Sequence, residues 1–246
     1  MKKLVLSSLM SVLVAQAAGC IIESGDDGVD PPPGEYATIQ AQWSLKSIAD
    51  NATIPYPPGI TTAAVYSQEV DANYQPVGDP IIDLFDVGDN AGRTAELPPS
   101  VYQVWVELTS EGGSNVHARS LSAYVDVIDT DKTFTTTLLE DGGYFQFQWD
   151  LVDAATNAPL SCAEAASTGV DAVSTLVADQ TSFIDDTFNC EDQIGITGGM
   201  YQGAYTVSIS ALDANDQAIS TPINKSGTIQ PQNAVTNLGA ISIPIN

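Results

Sequence analysis

Phe145-Gln146-Phe147-Gln148-Trp149-Asp150-Leu151 repeats the writing of an earlier stretch, Ile39-Gln40-Ala41-Gln42-Trp43-Ser44-Leu45. Each alternates apolar and polar residues with period two, which puts Phe145, Phe147, Trp149 and Leu151 on one face, like Ile39, Ala41, Trp43 and Leu45. That is the pattern of a strand with one buried face. A central Trp on that face suits a sheet that has to cover a second sheet. Read twice, the pattern makes the chain a duplication in which each copy opens its own all-β unit.

Working outward, the register between the copies holds: Phe85 and Phe188, Asp89 and Asp192, and Tyr102 and Tyr205 are each 103 residues apart. Strands are expected in the first copy at 61–66, 81–85, 102–108, 116–127 and 134–138, separated by turn-forming stretches such as Pro76-Val77-Gly78 and Glu111-Gly112-Gly113. In the second copy they fall at 170–177, 183–188, 204–212, 219–229 and 235–245. With 246 residues there is room for two domains of about 100 residues, each able to bury a core. The expected boundaries are 37–140 for the first sandwich and 141–246 for the second. Asp141-Gly142-Gly143 leaves almost no linker, so the two should meet end to end.

The formal net charge is −24, and removal of residues 1–19 with Lys2 and Lys3 leaves 31 acids against 5 bases, or −26. Nucleic acid and anionic lipid head groups both demand clustered Lys and Arg, so neither is a partner for this chain. Acid at this density keeps a surface solvated and self-repelling; cation binding is the alternative use for it.

The first nineteen residues carry an address. Lys2-Lys3 and an apolar run through Ala15 form the basic and hydrophobic regions of a secretory signal, too short for a mature spanning helix. Ala17-Ala18-Gly19-Cys20 then resembles the lipobox of bacterial lipoproteins, with Ala17 where that family usually has Leu. The resemblance implies cleavage before Cys20 and a thioether-linked diacylglycerol on its sulfur, with acyl chains that contribute about 0.8 kcal/mol per buried methylene. Ile21 stands where Asp, in enterobacterial lipoproteins, would signal inner-membrane retention, so the outer membrane is expected, periplasmic or surface-facing left open. Residues 20–36, with Asp26, Asp27, Asp30 and Pro31-Pro32-Pro33, are too polar and prolyl to build a core and read as an extended spacer.

Tyr102 and Tyr205 each open a strand after a corner, and in that placement resemble the tyrosine corner of immunoglobulin-like sandwiches. Together with the Trp strands, the chain resembles tandem immunoglobulin-like or carboxypeptidase-regulatory-like modules of exported bacterial proteins. The fold class expected is all-β, two tandem antiparallel sandwiches. With Cys20 taken by lipid, Cys162 and Cys190 remain as disulfide partners. The register places Val87 where Cys190 stands and Ala52-Thr53 near Cys162, so the first copy lacks both partners together. A metal would need further ligands, and no other Cys or His lies near.

No nucleophile elbow, zinc-protease helix or phosphate-binding glycine loop is present, and the only histidine, His117, sits by a turn. The sequence therefore reads as non-enzymatic. Asp213-Ala214-Asn215-Asp216 looks like the calcium linker motif of cadherins, without the matching glutamates. Asp126, Asp129 and Asp131 alternate in another loop. Asp and Asn are also what a β-turn selects, so calcium competes with plain turn geometry. Trp105 is the odd residue of its strand and faces away from Tyr102, Val104 and Val106, either toward a sugar or protein ligand or toward the neighbouring domain. The function expected is a lipid-anchored envelope protein presenting two sandwiches as spacer and interaction surface for protein or glycan. The alternative is a calcium-dependent adhesion or assembly module.

Overall fold

The structure, a computed structural model, describes residues 36–128 and 130–245. The expected signal peptide, Cys20, nearly all of the spacer, and Asp129 lie outside the described residues. The first half contains β1 (Ile39–Ser47), β2 (Ala52–Thr53), β3 (Thr62–Val70), β4 (Ile81–Asp86), β5 (Ala91–Arg93), β6 (Val101–Thr109), β7 (Val116–Arg119), β8 (Ala123–Asp126) and β9 (Lys132–Leu139). The second contains β10 (Gly142–Asp153), β11 (Pro159–Leu160), β12 (Gly169–Leu176), β13 (Phe183–Asn189), β14 (Ile194–Ile196), β15 (Met200–Tyr201), β16 (Gly203–Leu212), β17 (Ile223–Ile229) and β18 (Ala234–Ile245). Among the described residues there is no α-helix.

Each half packs two sheets face to face. In the first, β1 carries β2, β5 and β9, and the facing sheet runs β4-β3-β6-β7 with β8 also on β6. In the second, β10 carries β11, β14, β15 and β18, and the facing sheet runs β13-β12-β16-β17. The period-two faces of β1 and β10 point inward as their sequences dictate: Ile39, Ala41, Trp43, Leu45, Phe145, Phe147, Trp149 and Leu151 are all buried. They meet Val104, Val106 and Leu108 in one core and Val207, Ile209 and Ala211 in the other.

Most pairs are antiparallel, but β1 pairs with β9 in parallel, and β10 with β18 likewise. A unit whose chain enters at one end and leaves at the other runs its first and last strands in the same direction, and these two strands lie side by side. The stretch 116–127 is broken into β7 and β8 because Ser120 turns inward between them. Its hydroxyl accepts the Val106 N–H at 2.9 Å and its own N–H donates to the Val106 carbonyl at 2.8 Å. The expected strand at 219–229 begins as an isolated bridge at Ser220 and runs regularly only from Ile223.

Interior details recur at equivalent places. Trp43 Nε1–H donates to the carbonyl of Val87 at 3.0 Å, and Trp149 Nε1–H to that of Cys190 at 3.2 Å. Phe85 covers Gly92 and Phe188 covers Gly195 so closely that a Cβ on either glycine would lie 2.5 or 2.9 Å from ring carbons. Both tyrosine corners are formed: Tyr102 donates to the Pro98 carbonyl and Tyr205 to the Tyr201 carbonyl, each at 3.0 Å. The Tyr102 phenol is pushed up to about 12 by burial and then by the charge of Glu69.

Polar bonds tie the halves together. Asn233 accepts the Leu139 N–H at 2.7 Å and donates to the Arg119 carbonyl at 2.8 Å, itself buried. Asp141 accepts the Ile48 N–H, the Ser47 hydroxyl and the Ala49 N–H. Burial opposes its ionisation, yet these three bonds hold its carboxyl below the usual range.

Candidate functional site

The outer face of β4-β3-β6-β7 is built from the residues that alternate with the core. Cross-strand partners share a face, so one row reads Ile82, Tyr66, Trp105 and the next reads Leu84, Ala64, Glu107, Arg119. β4 is an edge strand, and it exposes Ile82 at 49% and Leu84 at 53%, large apolar side chains where a solvated edge normally carries charge. Tyr124 and Tyr74, with rings 4.7 Å apart, add to the aromatic content of this half.

Trp105 points away from the core, as its place in the alternation requires, but it is only 8% exposed. Tyr66 stacks on it from β3, rings 4.8 Å apart and 7° from parallel, and the Arg119 guanidinium approaches from β7, 4.3 Å from the ring centroid. Because β3 and β7 flank β6 on opposite sides, the indole is bracketed and is a platform built into the face rather than a free ring. Its N–H reaches Glu107 at 3.4 Å, and Arg119 lies 3.9 Å from the same carboxylate. Burial first, then hydrogen bonding to Glu107, raises the Tyr66 phenol. Toward the second half, it is the backbone carbonyl of Arg119 that accepts from Asn233, at 2.8 Å.

In the second half the equivalent rows read Asp185, Val173, Ser208, Asn224 and Thr187, Asp171, Ser210. Asp171 is raised to about 7 by burial, by a hydrogen bond to Asp185 and by that neighbour's charge. Phe183 is the large exposed apolar side chain on this face.

Cys162 and Cys190 form a disulfide, with Cα atoms 6.0 Å apart. It joins the turn after β11 to the one-turn 3-10 helix Cys190–Asp192 that follows β13. The first half has Val87 in the matching 3-10 turn, Val87–Asp89, and no bridge.

The carboxylates considered for calcium serve turns and side-chain pairs. Asp213 Oδ1 accepts the N–H groups of Asn215 at 2.8 Å and Gln217 at 3.0 Å. Asp71-Ala72-Asn73-Tyr74-Gln75 does the same in the first half, at 2.8 and 2.9 Å. Tyr74 and Asp216 occupy the left-handed position of the two turns, with φ of 59° and 58°. Asp126 accepts the Ile128 N–H at 3.0 Å, and Asp131 is bound by Thr38 and by Arg93 at 2.9 Å. Among the described residues no three His, Cys, Asp or Glu side chains gather as a metal-holding group. His117 lies between the halves, Nε2 at 2.7 Å from Glu140 and Nδ1 at 3.3 Å from the Gln232 amide.

The sequence singled out Trp105 but not the residues that frame it. Tyr66 and Arg119 are 39 and 14 positions away and become neighbours only through strand pairing. The detectable signal was the apolar doublet Ile81-Ile82 and Leu84 on a short strand beside a proline-bounded turn.

No family model matches the chain, and no curated protein matches it by sequence. Solved structures with some likeness include a leucine-rich repeat protein from Bacteroides thetaiotaomicron, at 12% identity and a TM-score of 0.41, covering 85% of this chain and 26% of that one. A minor pilin from Streptococcus agalactiae aligns at 10% identity and a TM-score of 0.31 over 85% of this chain and 96% of the pilin. The fimbrial anchor protein of Porphyromonas gingivalis aligns at 9% identity and 0.27, over 77% of this chain and 81% of its own. The chain thus spans about a quarter of the first of these proteins. Likeness at this level says nothing of what the chain does.

Proposed function

We propose that this chain is a lipid-anchored, non-enzymatic protein of the bacterial cell envelope, held at the outer membrane through acyl chains on Cys20. Residues 1–19 are its signal peptide, 20–36 its spacer, and 37–140 and 141–246 its two sandwich domains. The first sandwich presents the contact surface toward an envelope protein or glycan, and the second, braced by Cys162–Cys190, serves as spacer. The observation that carries the reading is the asymmetry of the outer faces. Ile82 and Leu84 stand about half exposed on an edge strand beside the Tyr66–Trp105 stack, and the same positions in the second half hold Asp185, Thr187, Val173 and Ser208.

The test is a photocrosslinking amino acid placed at Leu84 in living cells, with Thr187 as the matched position in the other half. A discrete adduct from position 84 and none from 187 supports the reading; equal labelling, or none, overturns it. Cys20→Ser should abolish incorporation of a clickable palmitate analogue and release the chain from membranes. A tag after Asn246, followed through protease shaving of intact and lysed cells, decides whether the surface faces outward or into the periplasm.

A further inference from the structure

Among the described residues, four buried side-chain oxygens have no hydrogen-bond partner: Ser67 Oγ, Asp83 Oδ2, Ser174 Oγ and Asp186 Oδ2. They form one pair, written twice. Ser67 stands opposite Ile81 across β3 and β4, with Asp83 two residues further on the same face; Ser174 stands opposite Ile184 across β12 and β13, with Asp186 two residues further. Both serines are fully buried. The second oxygen of each carboxylate is used alike: Asp83 Oδ1 accepts the Ala95 N–H at 3.2 Å, and Asp186 Oδ1 the Gly198 N–H at 2.9 Å. Each bond crosses from the edge strand of one sheet to the segment following the edge strand of the other, β5 in the first half and β14 in the second.

An unpartnered buried polar atom is costly, and most such atoms in folded proteins have a partner in protein or ordered water. The outer residues of these same strands differ between the halves, Ile82 against Asp185 and Leu84 against Thr187, while the inward Ser and Asp are the same in both. Diagonal cross-strand neighbours lie about 7–8 Å apart at the backbone, with side chains closer. Their polar ends can therefore be about two hydrogen-bond lengths apart, too far to bond directly and right for a single intervening molecule. A carboxylate oxygen only accepts, while a hydroxyl can donate or accept, so the bridging molecule must donate to Asp and can accept from Ser. Two side-chain oxygens are too few for a hard cation, which takes six or more. Burial, and then the charge of Asp185, also raises the Asp186 carboxyl while the Gly198 N–H draws it back, as expected for a carboxylate inside the fold.

We infer that each sandwich encloses one structural water, held between Ser67 and Asp83 in the first and between Ser174 and Asp186 in the second, which extends the Asp bond between sheets into a two-point clamp on the open edge. This goes beyond the proposed envelope role and does not depend on it. The experiment joins two readouts on the mature chain. Water-to-protein nuclear Overhauser effects should reveal a long-lived water beside the amides around both pairs. Ser67→Ala and Ser174→Ala should each raise the local unfolding equilibrium constant about five- to tenfold, read separately in each half by native-state hydrogen exchange. Deleting a hydroxyl that merely lacked a partner would leave stability unchanged or improve it. A neutral result in either half, or the absence of a long-lived water from either pair, would falsify the assignment. Ser→Ala removes one atom and is compatible with an extended strand, so loss of the fold does not confuse the outcome.

Discussion

Across the outer sheet of the first sandwich one row reads Ile82, Tyr66, Trp105; across the second the same row reads Asp185, Val173, Ser208. One layer inward the two halves agree: Trp43 and Trp149 bond to the carbonyls of equivalent turns, Phe85 and Phe188 lie over Gly92 and Gly195, and both tyrosine corners close. The contrast separates two demands. A core position is held by its neighbours on every side, since close-packed interiors register even one methylene. An outer position answers only to solvent and to whatever touches it. The second half sets Asp185, Val173 and Ser208 where the first sets Ile82, Tyr66 and Trp105, with Phe183 as its large exposed apolar side chain.

The largest expected effect tests the agreement within. Trp43→Ala and Trp149→Ala should each cost about 3–5 kcal/mol, the range for emptying a large buried aromatic site. Both should give a similar loss by denaturant unfolding, because the two indoles are equally buried and bonded. A loss confined to one half would break the equivalence of the cores.

Next comes the disulfide, where the interiors differ. Cys162→Ser with Cys190→Ser opens a loop with a sequence separation of 28. On the chain-entropy model that should cost about 3–4 kcal/mol, in the second half alone. Calorimetry with and without reductant checks it: one transition should fall and the other stay. Tyr102→Phe and Tyr205→Phe are smaller, about 1 kcal/mol each for a single hydrogen bond, and should be equal within error.

These effects also mark how far the sequence could be read. The period-two stretches, the 103-residue register and the corner tyrosines pointed to the sandwiches, because a half-buried strand shows its period directly in the chain, and the cysteine count with the same register pointed to the disulfide. The parallel pairing of first and last strands left no local signal, since Ile39 and Lys132 become partners only through the topology of the whole half. Trp105 was visible as an outward ring, but its cover was not, since Tyr66 and Arg119 arrive from different strands. Asp213 in its turn and Asp83 in its buried clamp are the same residue type in the sequence. Only the structure separates a solvated carboxylate that caps a turn from one that joins two sheets.

The remaining expected effect concerns pH and belongs to one outer face. Asp171, partly buried and hydrogen-bonded to Asp185, has its carboxyl raised to about 7 in the folded chain, while the unfolded chain ionises near the ordinary value of 3.8. Between those two values the folded state holds a proton that the unfolded state has lost, so stability falls as pH rises through this window and levels off above it. The first half has Ala64 and Ile82 at the positions of Asp171 and Asp185 and has no such pair to titrate. Amides of β12 should therefore exchange from a more stable state at pH 5 than at pH 8, after correction for intrinsic rates. Asp171→Asn should flatten most of that difference. Asp186, also raised by burial, contributes with the same sign and should leave a remainder. Amides of β3 form the control. If they show the same slope, the pH response is a property of the whole acidic chain and not of the face where the two halves part.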